Sequence, residues 1–518
     1  MKPPRFFSLA VIILFSIIVL LPIGYMISAP LWGETPVQAD SAGALFDSRH
    51  ITLSLNSLGL AGGTTILSLI IGVPLAILIS RTNLWGRRVF GIVYIIPILI
   101  PPYIHAIVWR HLNGFIKRFL SLDIHSLWGA IFVLTLAYFP FVTLLTQSGL
   151  KSVDRNMEES SLLYHGNWKT LKRITLPLVS PHIISGAIFV FIFTIVDFAV
   201  PDIFRVKVYP VEIFIQFSAF YDERAAAIYS LPLIAVTLIL LILQKRHMKD
   251  RAYVQISGGI SKAVRYNLGR LNTAAFGICL LIICLSVLIP VGVLLKVAGP
   301  FSSYIRVFSM SGEQILYSLV LASTGAVLAV CLAFSISYLI ERAKAGLKTP
   351  LEFASFVPLA IPATALGIGL IKVWNRPVAD IIYASPLIIV LGYIARFIPF
   401  VIIAVTSGMK QVGQRVEEAA FLTTGNWSKV MYRIIIPLTK HSLIAGFFIV
   451  FILSIGELGT TLLVIPPGRE TVPIKIYNLM HYGADQMVAA LCLILIAIIL
   501  AFSGLFLIVH KSLNKQSA

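Results

Sequence analysis

The chain has 518 residues, of which 58% are hydrophobic and only 12% charged. A soluble globular domain would carry about a quarter charged residues, so a water-solvated fold is excluded and the chain must be solvated mainly by lipid. The formal charge of +19, from 41 Lys and Arg against 22 Asp and Glu, would suggest nucleic acid in a soluble protein; in a membrane protein it reads as retention of Lys and Arg on the cytoplasmic side, with no nucleic-acid partner.

In chain order, Lys2 and Arg5 precede an apolar run from Phe6 to Met26. That run is longer than the roughly 7–15 residues of a signal-peptide core, so it is expected to be an uncleaved first span. Runs of about 20 apolar residues then predict spans near 6–28, 53–79, 89–109, 127–149, 183–201 and 229–244. After a polar gap come 271–295, 315–340, 352–373, 385–408, 442–465 and 486–509. Twelve spans put both termini on one side. The loops on that side (the N-terminus, 81–88, 151–173, 245–270, their counterparts in the second half and the C-terminus) hold about 27 of the 41 Lys and Arg. The positive-inside rule makes them cytoplasmic, leaving 29–52, 202–228, 298–314 and 466–485 outside. The four cysteines, Cys279, Cys284, Cys331 and Cys492, all lie in apolar stretches and read as packing residues.

The halves repeat at an offset close to 260 residues. Pro97 and Pro101 match Pro358 and Pro362, Pro140 matches Pro399, and Glu158-Glu159 matches Glu417-Glu418. Gly166-Asn167-Trp168 matches Gly425-Asn426-Trp427, Pro177 matches Pro437, and Asp197 matches Glu457. Six spans per half restore the starting orientation, so the expected fold is all-α and integral to the membrane, with twelve helices as two parallel six-helix repeats. The predicted domains are 1–244 and 271–518, joined by a cytoplasmic linker at 245–270.

Between the fourth and fifth spans of each half lies a recurring polar insertion, at 152–178 and 411–438. It reads as helix, Gly stop, helix. Asp154 is a candidate N-cap, and Glu158 and Glu159 sit near the first turn, where the helix dipole favours acids. Gly166 and Gly425 fall where a left-handed residue would end that helix. Asn167 and Asn426 can cap the next helix, and Pro177 and Pro437 mark the bend into the following span. An ordinary interfacial loop would also fit one copy; the duplication favours a pair of docking helices for two copies of a partner.

At these residues the sequence resembles the permeases of ABC importers, whose cytoplasmic EAA loop has the form E-A-A, three residues, G, nine residues, I-x-L-P. The second copy has Glu418-Ala419-Ala420, Gly425 and Ile434-Ile435-Ile436-Pro437; the first has Glu159-Ser160-Ser161, Gly166 and Ile174-Thr175-Leu176-Pro177. In both, Gly stands seven residues after the Glu instead of six, and in the first copy Glu158 restores the usual Glu-to-Pro spacing, so either Glu158 or Glu159 can be the equivalent acid. The resemblance covers the whole chain, because ferric-iron permeases fuse two such domains and thiamine permeases are built similarly. It implies the type I ABC importer transmembrane fold, and Glu158, Glu159, Gly166, Glu418 and Gly425 as the residues coupling transport to two copies of a cytoplasmic ATPase. It also implies an extracytoplasmic substrate-binding protein, a bacterial inner-membrane location, and ferric iron as first substrate, with thiamine, a phosphonate or a polyamine behind it.

Within the spans, Asp197 and Glu457 occupy equivalent places near the outer ends of spans five and eleven. Ionisable groups there are costly and read as pathway or gate residues, or as interfacial carboxylates that are hydrated or paired. Arg396 lies near the middle of span ten, where the first half has Ala137; an unpaired guanidinium would cost several kcal/mol, and Glu457 is the expected partner. The Pro-rich spans three and nine cannot run as straight helices. His105, in span three, could face a pathway or be packed.

The sequence has no G-x-x-x-x-G-K-[ST] phosphate loop, HExxH, GxSxG or dinucleotide fingerprint. The expectation is a transport subunit without catalytic residues, cofactor or metal, with ATP hydrolysed by a partner. The alternative is a twelve-span secondary transporter driven by an ion gradient, which would explain the repeat and charge bias but not the paired loops.

Overall fold

The computed structural model describes residues 4–32, 48–249, 265–342 and 345–516. Ten helices are long and apolar enough to cross a membrane: Arg5–Pro30, Ser48–Arg81, Leu127–Ser152, Asn167–Ile195, Glu223–Arg246, Leu271–Ala298, Phe301–Arg342, Leu387–Gln411, Trp427–Ile455 and Asp485–Leu513. Two further pairs are bent at a short break, Arg87–Leu99 with Pro102–His111 by 90° and Gly346–Ala360 with Ala363–Trp374 by 110°. Counting each bent pair as one span gives the twelve expected. The only β pairing among the described residues is the isolated bridge between Thr82 and Tyr266.

The two breaks fall at Ile100-Pro101 and Ile361-Pro362, where all four residues have extended ψ values between 117° and 144°. A proline ring pushes the residue before it out of the helical region and supplies no N–H to the preceding turn. The Pro-rich third and ninth spans are therefore broken, as the sequence requires.

Pro177 and Pro437 behave differently from expectation. The fifth span begins at Asn167, earlier than 183, and runs through Pro177 to Ile195 as one continuous helix; Trp427–Ile455 does the same through Pro437. A wide π turn, Leu171–Thr175 or Met431–Ile435, lies just before each proline. The extra residue in the turn shifts the hydrogen-bond register, so the missing N–H is accommodated without a break.

The described residues form two compact units. One comprises Ala39–Val211 and Ala235–Lys296. Its centre is the mutual packing of Ser48–Arg81, Leu127–Ser152 and Leu176–Ile195. Cys279 and Ile283 of the helix Leu271–Ile283 join Leu75, Phe90, Tyr94 and Phe139 in one apolar cluster. The other unit comprises Met1–Gln38, Glu212–Ile234 and Val297–Ala518. It repeats the central trio with Phe301–Arg342, Leu387–Gln411 and Ile436–Ile455, and adds the helix Leu21–Trp32 against Ala363–Trp374. Each unit thus takes the first span of the opposite sequence half. Of the predicted linker, 245–249 and 265–270 are described, and 250–264 lie outside the described residues.

Lipid-facing spans are similarly apolar, so shape more than hydrophobicity selects their partners. At Gly369 a side chain would collide with the Pro22 carbonyl of the first span, and only glycine allows that approach. Gly369→Val should detach Leu21–Trp32 from its unit and lower the thermal midpoint of the detergent-solubilised protein. A midpoint equal to that of the unaltered chain would mean that this contact does not hold the first span.

Candidate functional site

The repeated loop is built much as its sequence suggests, with one asymmetry. In the first copy Asp154 caps the helix Arg155–Tyr164 by accepting the Asn156 N–H at 2.9 Å. The second loop helix, Gln414–Thr424, ends at Gly425 in the left-handed region with φ 61°. Asn426 then caps Trp427–Val430 by accepting the Lys429 N–H at 3.2 Å. In the first copy Gly166 has φ −68°, is not left-handed, and is itself the N-cap of Asn167–Thr170. The expected glycine stop holds at Gly425 and not at Gly166, where the shorter helix ends at His165 in extended backbone.

This difference carries a prediction. Proline cannot adopt φ 61°, and at 425 it would also delete the N–H that donates to the Phe421 carbonyl at 2.8 Å. Gly425→Pro should unwind the end of the loop helix and lower the thermal midpoint of the detergent-solubilised protein while the protein remains in the membrane. Gly166→Ala, whose new methyl meets nothing within 4 Å, should leave the midpoint unchanged. Equal effects of the two would count against a left-handed stop at Gly425.

The two adjacent acids of each loop have opposite fates. Glu158 and Glu417 are fully buried, whereas Glu159 and Glu418 are exposed. Glu158 faces Arg81, the last residue of Ser48–Arg81, at 3.3 Å and accepts the Thr175 hydroxyl at 2.8 Å. Burial pushes the Glu158 carboxyl above the usual carboxylate range, against the pull of the Arg81 guanidinium and the Thr175 hydroxyl. Glu417 meets Arg342, the last residue of Phe301–Arg342, at 2.6 Å and accepts the Tyr338 hydroxyl at 2.6 Å. Trp427 donates its indole N–H to that tyrosine oxygen at 3.2 Å and packs on Phe7 with ring centroids 4.8 Å apart.

Each arginine also caps the end of the fourth span: Arg81 donates to the Leu150 carbonyl at 2.6 Å, and Arg342 to the Val412 carbonyl at 3.1 Å. Those terminal carbonyls have no partner within their own helix. The acid's hydroxyl donor differs between halves. Thr175 serves in the first, where the second has Ile435; Tyr338 serves in the second, where the first has Ile77. Arg81 and Arg342 were the residues that sequence reasoning missed. Their signal was their equivalence at the end of spans two and eight, at nearly the same offset as the loops.

The exposed side of each loop helix is unusually apolar for a segment outside the spans. Met157, Leu163 and Tyr164 are exposed in the first copy, and Val416 and Leu422 in the second. Such apolar side chains beside Glu159 or Glu418 suit protein contact better than water.

The intramembrane residues separate as well. Arg396 lies 3.6 Å from Glu457, the expected partner, and donates to the Thr460 hydroxyl oxygen at 3.2 Å. Glu457 also accepts the backbone N–H groups of Thr460 at 2.7 Å and Thr461 at 2.9 Å, and the Thr461 hydroxyl. Thr460 in turn donates its hydroxyl to the Ala363 carbonyl at 3.1 Å, beside the break in the bent ninth span. In the first half Asp197 accepts the Val200 N–H at 3.0 Å and the Tyr138 hydroxyl at 3.5 Å. His105 is fully buried.

The model for the family described as "binding-protein-dependent transport system inner membrane component" matches residues 53–252 and 333–515. An Fe(3+)-transport system permease protein, FbpB 2 of Haemophilus influenzae, is 24% identical over 97% of both chains. A ferric transport system permease protein, FbpB of Actinobacillus pleuropneumoniae, is 22% identical over 95% of this chain and 76% of its own. A probable molybdenum ABC transporter permease protein of Haloferax volcanii is 28% identical over 43% of this chain and 83% of its own.

Proposed function

Because the chain belongs to the family of inner-membrane components of binding-protein-dependent transport systems, matched twice along its length, we propose that it carries a small substrate inward by alternating access, driven by a separate ATPase. The observation that carries this reading is the repeated loop: two helices, each held by a buried acid and each offering an exposed acid flanked by apolar side chains. Two such faces suit two copies of an ATPase, with 1–244 and 271–518 as the two permease repeats and both termini in the cytoplasm. The family match supports this reading over the ion-gradient one, which needs neither loop.

Ferric iron is the proposed substrate, delivered by an extracytoplasmic binding protein. Its support is that relatives aligned over nearly the whole chain are described as ferric permeases; thiamine, a phosphonate or a polyamine stand behind it. Arg396, Glu457 and Asp197 are assigned to an outer gate, because Asp197 and Glu457 are ionisable groups at equivalent places in the two repeats, Arg396 lies 3.6 Å from Glu457, and Glu457 is tied through Thr460 to a broken span.

The test is mass spectrometry of what co-purifies with the tagged chain in mild detergent, comparing the unaltered protein with Glu159→Arg/Glu418→Arg. An ATPase should accompany the former and be lost from the latter. A co-purifying binding protein can then be titrated with ferric ion. If no ATPase appears even after crosslinking, the functional reading is wrong.

A further inference from the structure

The buried acid of each loop has no access to a docking protein, yet both halves bury it against an arginine in the same place. Glu158 and Glu417 are fully buried, and the Arg81 side chain is only 2% exposed. An interface contact cannot explain this, and a merely tolerated charge would not recur with two different hydroxyl donors, Thr175 and Tyr338.

The geometry supplies another role. Each arginine joins three pieces of one unit: it ends the second or eighth span, pairs with the loop-helix acid, and donates to a carbonyl at the end of the fourth or tenth span. A buried ion pair is directional and costly to open. Separating its partners leaves a charge unsatisfied in a low-dielectric site, so the pieces it joins cannot slide independently. Apolar packing is non-directional and would permit such sliding.

We propose that Arg81–Glu158 and Arg342–Glu417 are rigid joints that make each loop helix move as one body with the ends of two spans of its unit, so that a push on the loop reaches the membrane. Glu159 and Glu418 are then the acids offered to the ATPase, and Glu158 and Glu417 are positioning residues that never touch it. This inference rests on the proposed function and divides the labour within it.

The test uses the complex of the full chain with its ATPase, with the four native cysteines replaced by alanine and spin labels at Trp85→Cys and Asn156→Cys. Both positions are exposed, one just after the second span and one on the loop helix outside the apolar face. In the otherwise unaltered chain, the label-to-label distance should be the same without nucleotide and after trapping with ATP and vanadate. In Arg81→Met/Glu158→Leu, which replaces the pair by apolar groups so that the fold survives, the ATPase should still bind. The two states should then separate by more than the width of the distribution in the unaltered chain. Glu158→Gln, which keeps the shape and weakens the pair, should shift in the same direction.

A distance that changes with nucleotide in the unaltered chain, or stays fixed in both variants with ATPase bound, overturns the joint and leaves the functional reading standing. Loss of ATPase from the Met/Leu variant, to the extent seen with Glu159→Arg/Glu418→Arg, would make the inner acid part of the docking face and also overturn it. If the unaltered chain binds no ATPase, the functional reading fails and the joint with it.

Discussion

Replacing Arg342 by methionine is expected to remove most of the protein from the membrane fraction. The change leaves Glu417, whose side chain is 1% exposed, with the Tyr338 hydroxyl but no cation. Removing one partner of a buried ion pair typically costs about 3–5 kcal/mol, a large share of the roughly 5–15 kcal/mol that holds a folded domain together. It also strips the Val412 carbonyl of its donor. The double change Arg342→Met/Glu417→Leu should restore the amount, because an apolar pair of similar volume is often neutral or better. Quantifying the tagged chain in membranes and its thermal midpoint in detergent checks both arms. Accumulation of the single variant at the level of the unaltered chain would show that Glu417 does not need the arginine.

The second large effect is expected at Glu457. This carboxylate holds the turn at Thr460 and Thr461 through two backbone N–H groups and lies beside Arg396. Glu457→Ala should therefore lower the thermal midpoint more than Arg396→Ala, since it strands both the turn and the guanidinium. The double variant should be less damaged than the sum of the two, with a coupling energy within about 0.5–3 kcal/mol, the range for residues in direct contact. Strict additivity in stability would show that the two side chains do not interact in solution. On the proposed gate assignment and ferric substrate, uptake of ferric ion with a binding protein present should fall in all three variants.

Much of this was legible in the sequence because the relevant physics is local or repeated. Span positions follow from apolar run length, and the breaks at Pro101 and Pro362 follow from a ring that removes a donor. The Arg396–Glu457 pair follows from the cost of an unpaired charge at that depth, which left few candidates. The loop's Asp154 and Asn426 caps could be read from residue type alone, since a capping side chain reaches only the nearby turn. Gly166 was misread because a helix stop depends on where the helix phase runs out, and the first loop helix is one residue shorter than the second. The two adjacent acids looked interchangeable because adjacent helical residues point about 100° apart. Which one faces inward is set by the body the helix lies on.

The sequence by itself determined the membrane class, the twelve candidate spans, the duplication and the chemistry of the repeated loop, because each depends on composition and short-range spacing. Tertiary structure decided the rest. It exchanged the first spans between units, since Gly369 can meet Pro22 only through a contact hundreds of residues apart in the chain. It also selected Glu158 and Glu417 for burial and brought Arg81 and Arg342 to them, because an ion pair between distant segments exists only once the spans that carry them have packed.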